Sequence, residues 1–315
     1  MSVAWLFPGQ GSQSVGMGKD VLDASPAARD VFQRADDALG EHLSRLVLEG
    51  PMDELTLTAN AQPAIVATSL AILAAIRERV PSLAPPAFAA GHSLGEYSAL
   101  VAAEALSLED AIRLVRARGL AMQQAVPPGT GAMSAVMGIT PERLEQLCRE
   151  VAAEGSVVSP ANFNAPGQIV IAGNAAAVAR VGELVGAEKG RAIPLKVSAP
   201  FHCALMAPAA RAVAAELERI TVRDARFPIV ANFDAQANSD AGRVKVLLVC
   251  QVDGPVRWEA SVKRMAAAGV TQALEIGPGK VLAGLVKRTA KDVMVHSVGD
   301  VASLDQVAAF LAGGL

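Results

Sequence analysis

The chain is expected to fold as an α/β protein on a parallel sheet, with a smaller subdomain inserted into the larger one. Hydrophobic residues make up 52% of the sequence but aromatics only 3%, so the core must be built from Ala, Val and Leu. That composition suits helices packed closely on a parallel sheet. A second observation is Gly91-His92-Ser93-Leu94-Gly95, placed between the apolar run Ala87-Phe88-Ala89-Ala90 and the helix-like Glu96-Tyr97-Ser98-Ala99-Leu100-Val101-Ala102-Ala103. This is the strand–turn–helix context of a nucleophile elbow. A third is a change of rhythm between Ala132 and Val197, where strand and helix patterns alternate at short intervals.

Taken in order, Val3 to Phe7 reads as a strand, and Pro8-Gly9-Gln10-Gly11-Ser12-Gln13 as the glycine turn closing it. A strand ending in such a turn is a common edge for an α/β site. Helices are expected at roughly 26–40, 61–80, 94–104 and 108–124, the last opened by Ser107 with Asp110 three residues on. Pro127-Pro128-Gly129 breaks the pattern. There follow a strand (132–138), a helix (141–154), strands 156–163 and 167–173 joined by Asn164-Ala165-Pro166, a helix (175–188) and a strand (191–197). The order β-α-β-β-α-β is ferredoxin-like. Residues 129–197 are therefore assigned to a small subdomain, and 1–128 with 198–315 to the large one. Beyond it, strands are expected near 228–232 and 272–276. Helices are expected near 205–219, 239–252, 257–268, 279–290 and 302–312.

Bulk properties narrow the function. A net charge of −3 over 315 residues argues against a nucleic-acid partner. The apolar stretch Ile65 to Ile76 ends in Arg77-Glu78-Arg79 and is too short to span a bilayer, so a buried helix is expected and no membrane association. Met1-Ser2 leads straight into a strand pattern, so export is not expected. Cys148, Cys203 and Cys250 are widely spaced and odd in number, which suits reduced thiols in a cytoplasmic protein and neither a disulfide framework nor a metal site.

Ser93 has the position of a nucleophile, at a helix N-terminus whose free N–H groups can stabilise an oxyanion. Its hydroxyl is not ionised at neutral pH and needs a base. Of the four histidines, His42 and His296 lie in structural or exposed contexts, and His92 is expected to pack or support the loop. His202, after the strand that closes the insert, is the base candidate. Asp234 and Asp253 are candidates to orient its ring, but neither holds a strand-end position, and a backbone carbonyl would serve as well. Arg118 falls on the apolar stripe of 108–124 with Ala111, Val115 and Met122, while Arg113, Arg116 and Gln124 fall opposite. A guanidinium pointing into the core needs a fixed carboxylate or a ligand anion. Gly119 beside it is expected to let a ligand approach. The Gln10 N–H offers a second oxyanion donor, and Glu275-Ile276-Gly277-Pro278-Gly279-Lys280 is another strand-to-helix turn, read as structural before phosphate-binding.

The motifs Phe7-Pro8-Gly9-Gln10-Gly11-Ser12-Gln13, Gly91 to Tyr97, Arg118-Gly119, Asn162-Phe163-Asn164-Ala165-Pro166-Gly167-Gln168, His202-Cys203-Ala204-Leu205-Met206 and Glu275 to Gly279 together resemble the malonyl-CoA:acyl carrier protein transacylases of bacterial fatty-acid synthesis. The resemblance runs from Phe7 to about Arg288. It implies a hydrolase-like large subdomain with a ferredoxin-like small one. It also implies Ser93 as nucleophile, His202 as base, Arg118 as the clamp on the malonyl carboxylate, and the Gln10 and Leu94 N–H groups as the oxyanion hole. Gln251 is implied to hold His202 through its main-chain carbonyl, and Gln251 and Asn162 belong with the substrate-binding set. Phe201 resembles the bulky residue of malonyl-selective members. The partners implied are malonyl-CoA, as a substrate, and acyl carrier protein, with no cofactor, no metal and a monomeric chain. An acetyl group would leave the buried cation unpaired, a loss of roughly 3 kcal/mol or more. A free-standing loading acyltransferase for a polyketide synthase would share every one of these residues, and a serine thioesterase would share the elbow.

Overall fold

The computed structural model describes residues 2–153 and 155–314, and Glu154, the expected end of helix 141–154, lies outside them. Among the described residues there are ten strands: β1 (Ser2–Phe7), β2 (Phe88–Gly91), β3 (Gly131–Met137), β4 (Val158–Ala165), β5 (Gln168–Asn174), β6 (Arg191–Pro194), β7 (Ile229–Val230), β8 (Ala237–Asn238), β9 (Val270–Ile276) and β10 (Met294–Val298). They form two sheets. The larger runs β10-β9-β1-β2-β7-β8 and is parallel except for the terminal β8.

Successive side chains of a strand point to opposite faces, and β1 uses both. Trp5 and Phe7 enter a core packed by helices Pro26–Leu39, Thr58–Arg79 and Leu108–Gln124. Ala4 and Leu6 enter a second core under helices Trp258–Ala267 and Val281–Thr289. Helices cover both faces, which is why β1 and β2 read as continuous apolar runs rather than alternating ones. At the carboxyl ends of these strands Phe7 pairs with Gly91, so the turns that follow lie side by side.

The smaller sheet, β4-β5-β3-β6, is antiparallel throughout, and its helices Pro141–Ala152 and Ala175–Ala187 bury one face. This is the ferredoxin-like arrangement expected from the strand and helix rhythm. The other face, through Met133, Val170 and Ala172, packs on Cys203 with Phe201 and Leu205 beside it, the segment that carries His202. Backbone hydrogen bonds from Phe163 N to the Val256 carbonyl (2.9 Å) and from Val256 N to the Ala161 carbonyl (2.8 Å) tie β4 to the large subdomain.

Several expectations need correction. The long core helix begins at Thr58, three residues before the expected start, and its 22 residues are long and apolar enough to cross a bilayer, contrary to the expected shortness. It is nevertheless a core helix, buried against the sheet and neighbouring helices along most of its length from Thr58 to Ile76, with only its last turn, Arg77 to Arg79, exposed. The expected strand 191–197 stops at Pro194. The final helix is two short ones, Val301–Asp305 and Val307–Leu311. Strand β10 and helices Lys19–Ala24, Leu43–Glu49 and Met52–Thr56 carry too few residues to show a period, and the sequence reading lacks them.

Candidate active site

The elbow is built from backbone crowding. Ser93 sits at φ +50°, a left-handed conformation that costs a non-glycine residue about 1–3 kcal/mol. A Cβ at Gly91 would overlap the Gly95 carbonyl carbon, and one at Gly95 would overlap the Phe7 carbonyl oxygen, so both glycines are required for the turn to close. The Ser93 N–H donates to Asn232 Oδ1 at 2.6 Å. The N–H groups of Leu94 and Gln10 have no acceptor among the described residues and lie in the turns that follow the adjacent strands β2 and β1.

His202 is also left-handed, at φ +60°, in the loop before helix Ala207–Leu217. Its Nε2 lies 2.7 Å from Ser93 Oγ and its Nδ1 lies 2.8 Å from the Gln251 carbonyl oxygen. A carbonyl only accepts, so Nδ1 carries the proton and Nε2 presents a lone pair to the serine hydroxyl. Burial, and after it the Arg118 cation, pushes the His202 pKa down to about 3. The ring is therefore neutral at physiological pH. Among the described residues no carboxylate orients it: Asp234 pairs with Arg243 at 2.5 Å, and Asp253 makes no bond to the ring.

Arg118 is 1% exposed, on the stripe shared with Ala111, Val115 and Met122. Its Nη1 donates to Gln62 Oε1 (2.8 Å), and its Nη2 donates to Ser93 Oγ and Gln251 Oε1 (both 3.0 Å). Its Nε is buried without a partner. Among the described residues no carboxylate lies within ion-pairing distance of it, and burial disfavours its charge. A buried cation held by three neutral oxygens is a site for an incoming anion. Gly119 does not serve a ligand. A Cβ there would stand 2.7 Å from the Thr58 carbonyl oxygen and 2.8 Å from Ala59 Cα, so Gly119 is where helix Leu108–Gln124 crosses helix Thr58–Arg79.

These groups meet at a cavity of about 400 Å³ between the two subdomains, whose wall includes Gln10, Ser93, Leu94, Arg118, Asn162 and His202. Asn162 reaches it from β4 of the small subdomain. Gln251 lies behind the wall, fully buried, and bonds to Arg118 and His202 rather than to the cavity. His92 Nε2 is 2.7 Å from Asn164 Oδ1, which pins the elbow to the small subdomain, and its ring leans on Trp258. His42 is exposed, and His296 bonds to the Ser303 carbonyl at 2.7 Å. In the Glu275 turn the carboxylate accepts from the N–H groups of Leu282 (2.8 Å) and Ala283 (3.0 Å), filling the place a phosphate would need. The three cysteines are unpaired, and no metal-ligating cluster is found among the described residues.

Sequence reasoning missed Glu96, Asn232, Gln62, Thr58 and Asn164. Glu96 and Asn164 stand inside quoted motifs, whereas nothing local marks Asn232. Thr58 Oγ1 accepts from Gln10 Nε2 at 3.2 Å and lies 3.0 Å from Ser198 Oγ, joining the Gln10 loop to the chain returning from the insert.

A serine hydrogen-bonded to a neutral imidazole, beside free N–H donors and an unpaired cation, is the apparatus of a serine-dependent acyl transferase. Residues 4–310 match the acyl transferase domain family, and the chain belongs to it. It is 49% identical over 300 residues to the malonyl CoA-acyl carrier protein transacylase of Bacillus subtilis, covering 95% of this chain and 93% of the relative. The Escherichia coli K12 protein of the same name is 46% identical over 300 residues, covering 94% and 96%. A crystal structure of an acyl carrier protein S-malonyltransferase from Vibrio cholerae superposes with a TM-score of 0.94 at 46% identity, covering 98% of this chain and 100% of that one. The malonyl-transacylase PlMCAT, solved in complex with AntF, its type II PKS acyl-carrier protein, superposes with a TM-score of 0.93 at 46% identity over 97% and 98%.

Proposed function

We infer that this chain transfers a malonyl group from malonyl-CoA to the phosphopantetheine thiol of an acyl carrier protein, through a malonyl ester on Ser93, in fatty-acid biosynthesis. The observation that carries the reading is Arg118, buried without a carboxylate and 3.0 Å from Ser93 Oγ. In the first half-reaction His202 Nε2 takes the Ser93 proton, Oγ attacks the thioester carbonyl, and the C–S bond breaks as the proton passes to the coenzyme A thiolate. In the second, the carrier thiol gives its proton to His202 and its sulfur displaces Ser93, which regains the proton. Both tetrahedral oxyanions would be held by the Gln10 and Leu94 N–H groups. Arg118 holds the free malonyl carboxylate, and Asn162 faces the acyl chain from across the cavity. Gln251 sets the tautomer of His202. We propose that the chain acts as a cytoplasmic monomer without cofactor, metal, nucleic acid or membrane.

A second reading, loading a polyketide carrier, is supported by the likeness to PlMCAT. A thioesterase is disfavoured, since water attack gives no reason for a buried cation at the serine. The test is to incubate the protein with labelled malonyl-CoA, trap the acyl-enzyme and then offer fatty-acid and polyketide carriers separately. Label on Ser93 that passes to a carrier is the expected result, and the faster acceptor decides between the two transferase readings. No label on Ser93, or label lost only to water, sinks both.

A further inference from the structure

Glu96 lies three residues past Ser93, directly after the elbow, has no part in the proton transfers above, and is 3% exposed. A buried carboxyl needs a reason. One of its oxygens, Oε2, accepts from Gln251 Nε2 at 2.7 Å and from the Asn232 N–H at 3.0 Å. Each of those residues is an arm into the site. Gln251 Nε2 also donates to the Ser93 carbonyl (2.9 Å), its Oε1 accepts from Arg118 (3.0 Å), and its own carbonyl accepts from His202. Asn232 Oδ1 takes the Ser93 N–H, and its Nδ2 donates to the Gly91 carbonyl at 2.7 Å.

We propose that Glu96 is a positioning residue for acyl selection: through one oxygen it fixes the Gln251 amide and the Asn232 loop, so that Arg118 is aimed at the acyl group on Ser93. Rotating the Gln251 amide by half a turn would set its oxygen against Glu96 Oε2 and the Ser93 carbonyl, and its N–H groups against the guanidinium. Three contacts thus demand one orientation, and Glu96 supplies the only carboxyl among them. The charged groups facing it are the Arg118 cation and Asp234, and burial pushes its pKa up to about 7. A proton on Oε1 leaves Oε2 free to accept both bonds, so the role holds whether the carboxyl is ionised or not. A glutamine at this place would present the same acceptor.

This inference rests on the malonyl-transfer reading. The test compares single-turnover loading of Ser93 from malonyl-CoA and from acetyl-CoA, read by intact-protein mass, in the wild type and in Glu96→Gln, Glu96→Asp and Glu96→Ala. The Gln variant is expected to keep the malonyl-over-acetyl ratio within about threefold, and the Asp and Ala variants to lower it by about tenfold or more, mainly through malonyl. A merely structural role would slow both acyl groups in proportion, and that result, or an unchanged ratio in Asp and Ala, overturns the proposal. If Glu96→Ala does not fold, Glu96→Asp decides, because it keeps the carboxyl and withdraws it by one methylene. Wild-type protein that loads no malonyl brings down the underlying reading together with this one. Wild type that loads it while the ratio stays fixed brings down this one alone.

Discussion

Arg118 is tolerated in the interior because three side-chain oxygens meet it, yet none of them carries a full charge in contact with it. Replacing it by alanine removes a buried cation from the cavity wall, so Arg118→Ala should cost malonyl-CoA about a hundredfold in kcat/KM while leaving acetyl-CoA nearly unchanged. Competition between the two thioesters reads this directly, and an unchanged preference would take Arg118 out of its role. His202 yields a pH prediction with a definite sign. Its pKa is lowered from the ordinary 6.5 to about 3, so the neutral base persists as pH falls through 6.5. Serine acylation should therefore hold its rate from pH 8 to about 5, and a loss of rate centred near pH 6.5 would mean the ring is solvated. Ser93, His202 and Arg118 were legible because each is locally anomalous: a serine in a glycine turn, a histidine after a strand, a charge on an apolar stripe. Asn232 and Glu96 were not, since their place comes from hydrogen bonds to residues far along the chain: Glu96 Oε2 meets Asn232 and Gln251, and Asn232 also meets Ser93 and Gly91.

Long periodic segments were readable as elements, and helix Leu108–Gln124 was expected within its observed bounds, down to the Ser107 cap on the Asp110 N–H at 3.0 Å. Gly119 was misread because a glycine beside a functional arginine is equally suited to a ligand or to a helix, and only the crossing with Thr58 and Ala59 separates the two. Gly119→Ala should force those helices apart and cost about 1–3 kcal/mol. Chemical denaturation measures it. A variant as stable as the parent would show that the crossing relaxes freely. Helices of five to seven residues such as Met52–Thr56, and the partly exposed strand β10, escaped notice for a common reason. They take their conformation from the body they pack on, not from a pattern of their own.

At the scale of the whole molecule, the cavity is a seam. The parallel sheet supplies the elbow and the Gln10 loop, the small sheet supplies Asn162, and the crossing back from the insert supplies His202. The ferredoxin-like order was legible from alternation alone. The seam was not, since it depends on β4 bonding to Val256, nearly a hundred residues further along. The pairing of Phe7 with Gly91 has one more consequence. Gln10 lies three positions past one partner and Leu94 three past the other, so the sheet acts as a vernier, with two scales locked at a common mark and read at the same count. A residue added between Phe7 and Gln10 would slide one scale by about 3.5 Å, far more than a hydrogen bond tolerates. Inserting one glycine there should lower kcat about a hundredfold with the melting temperature little changed. Activity within threefold of the parent would mean that the two marks need not align.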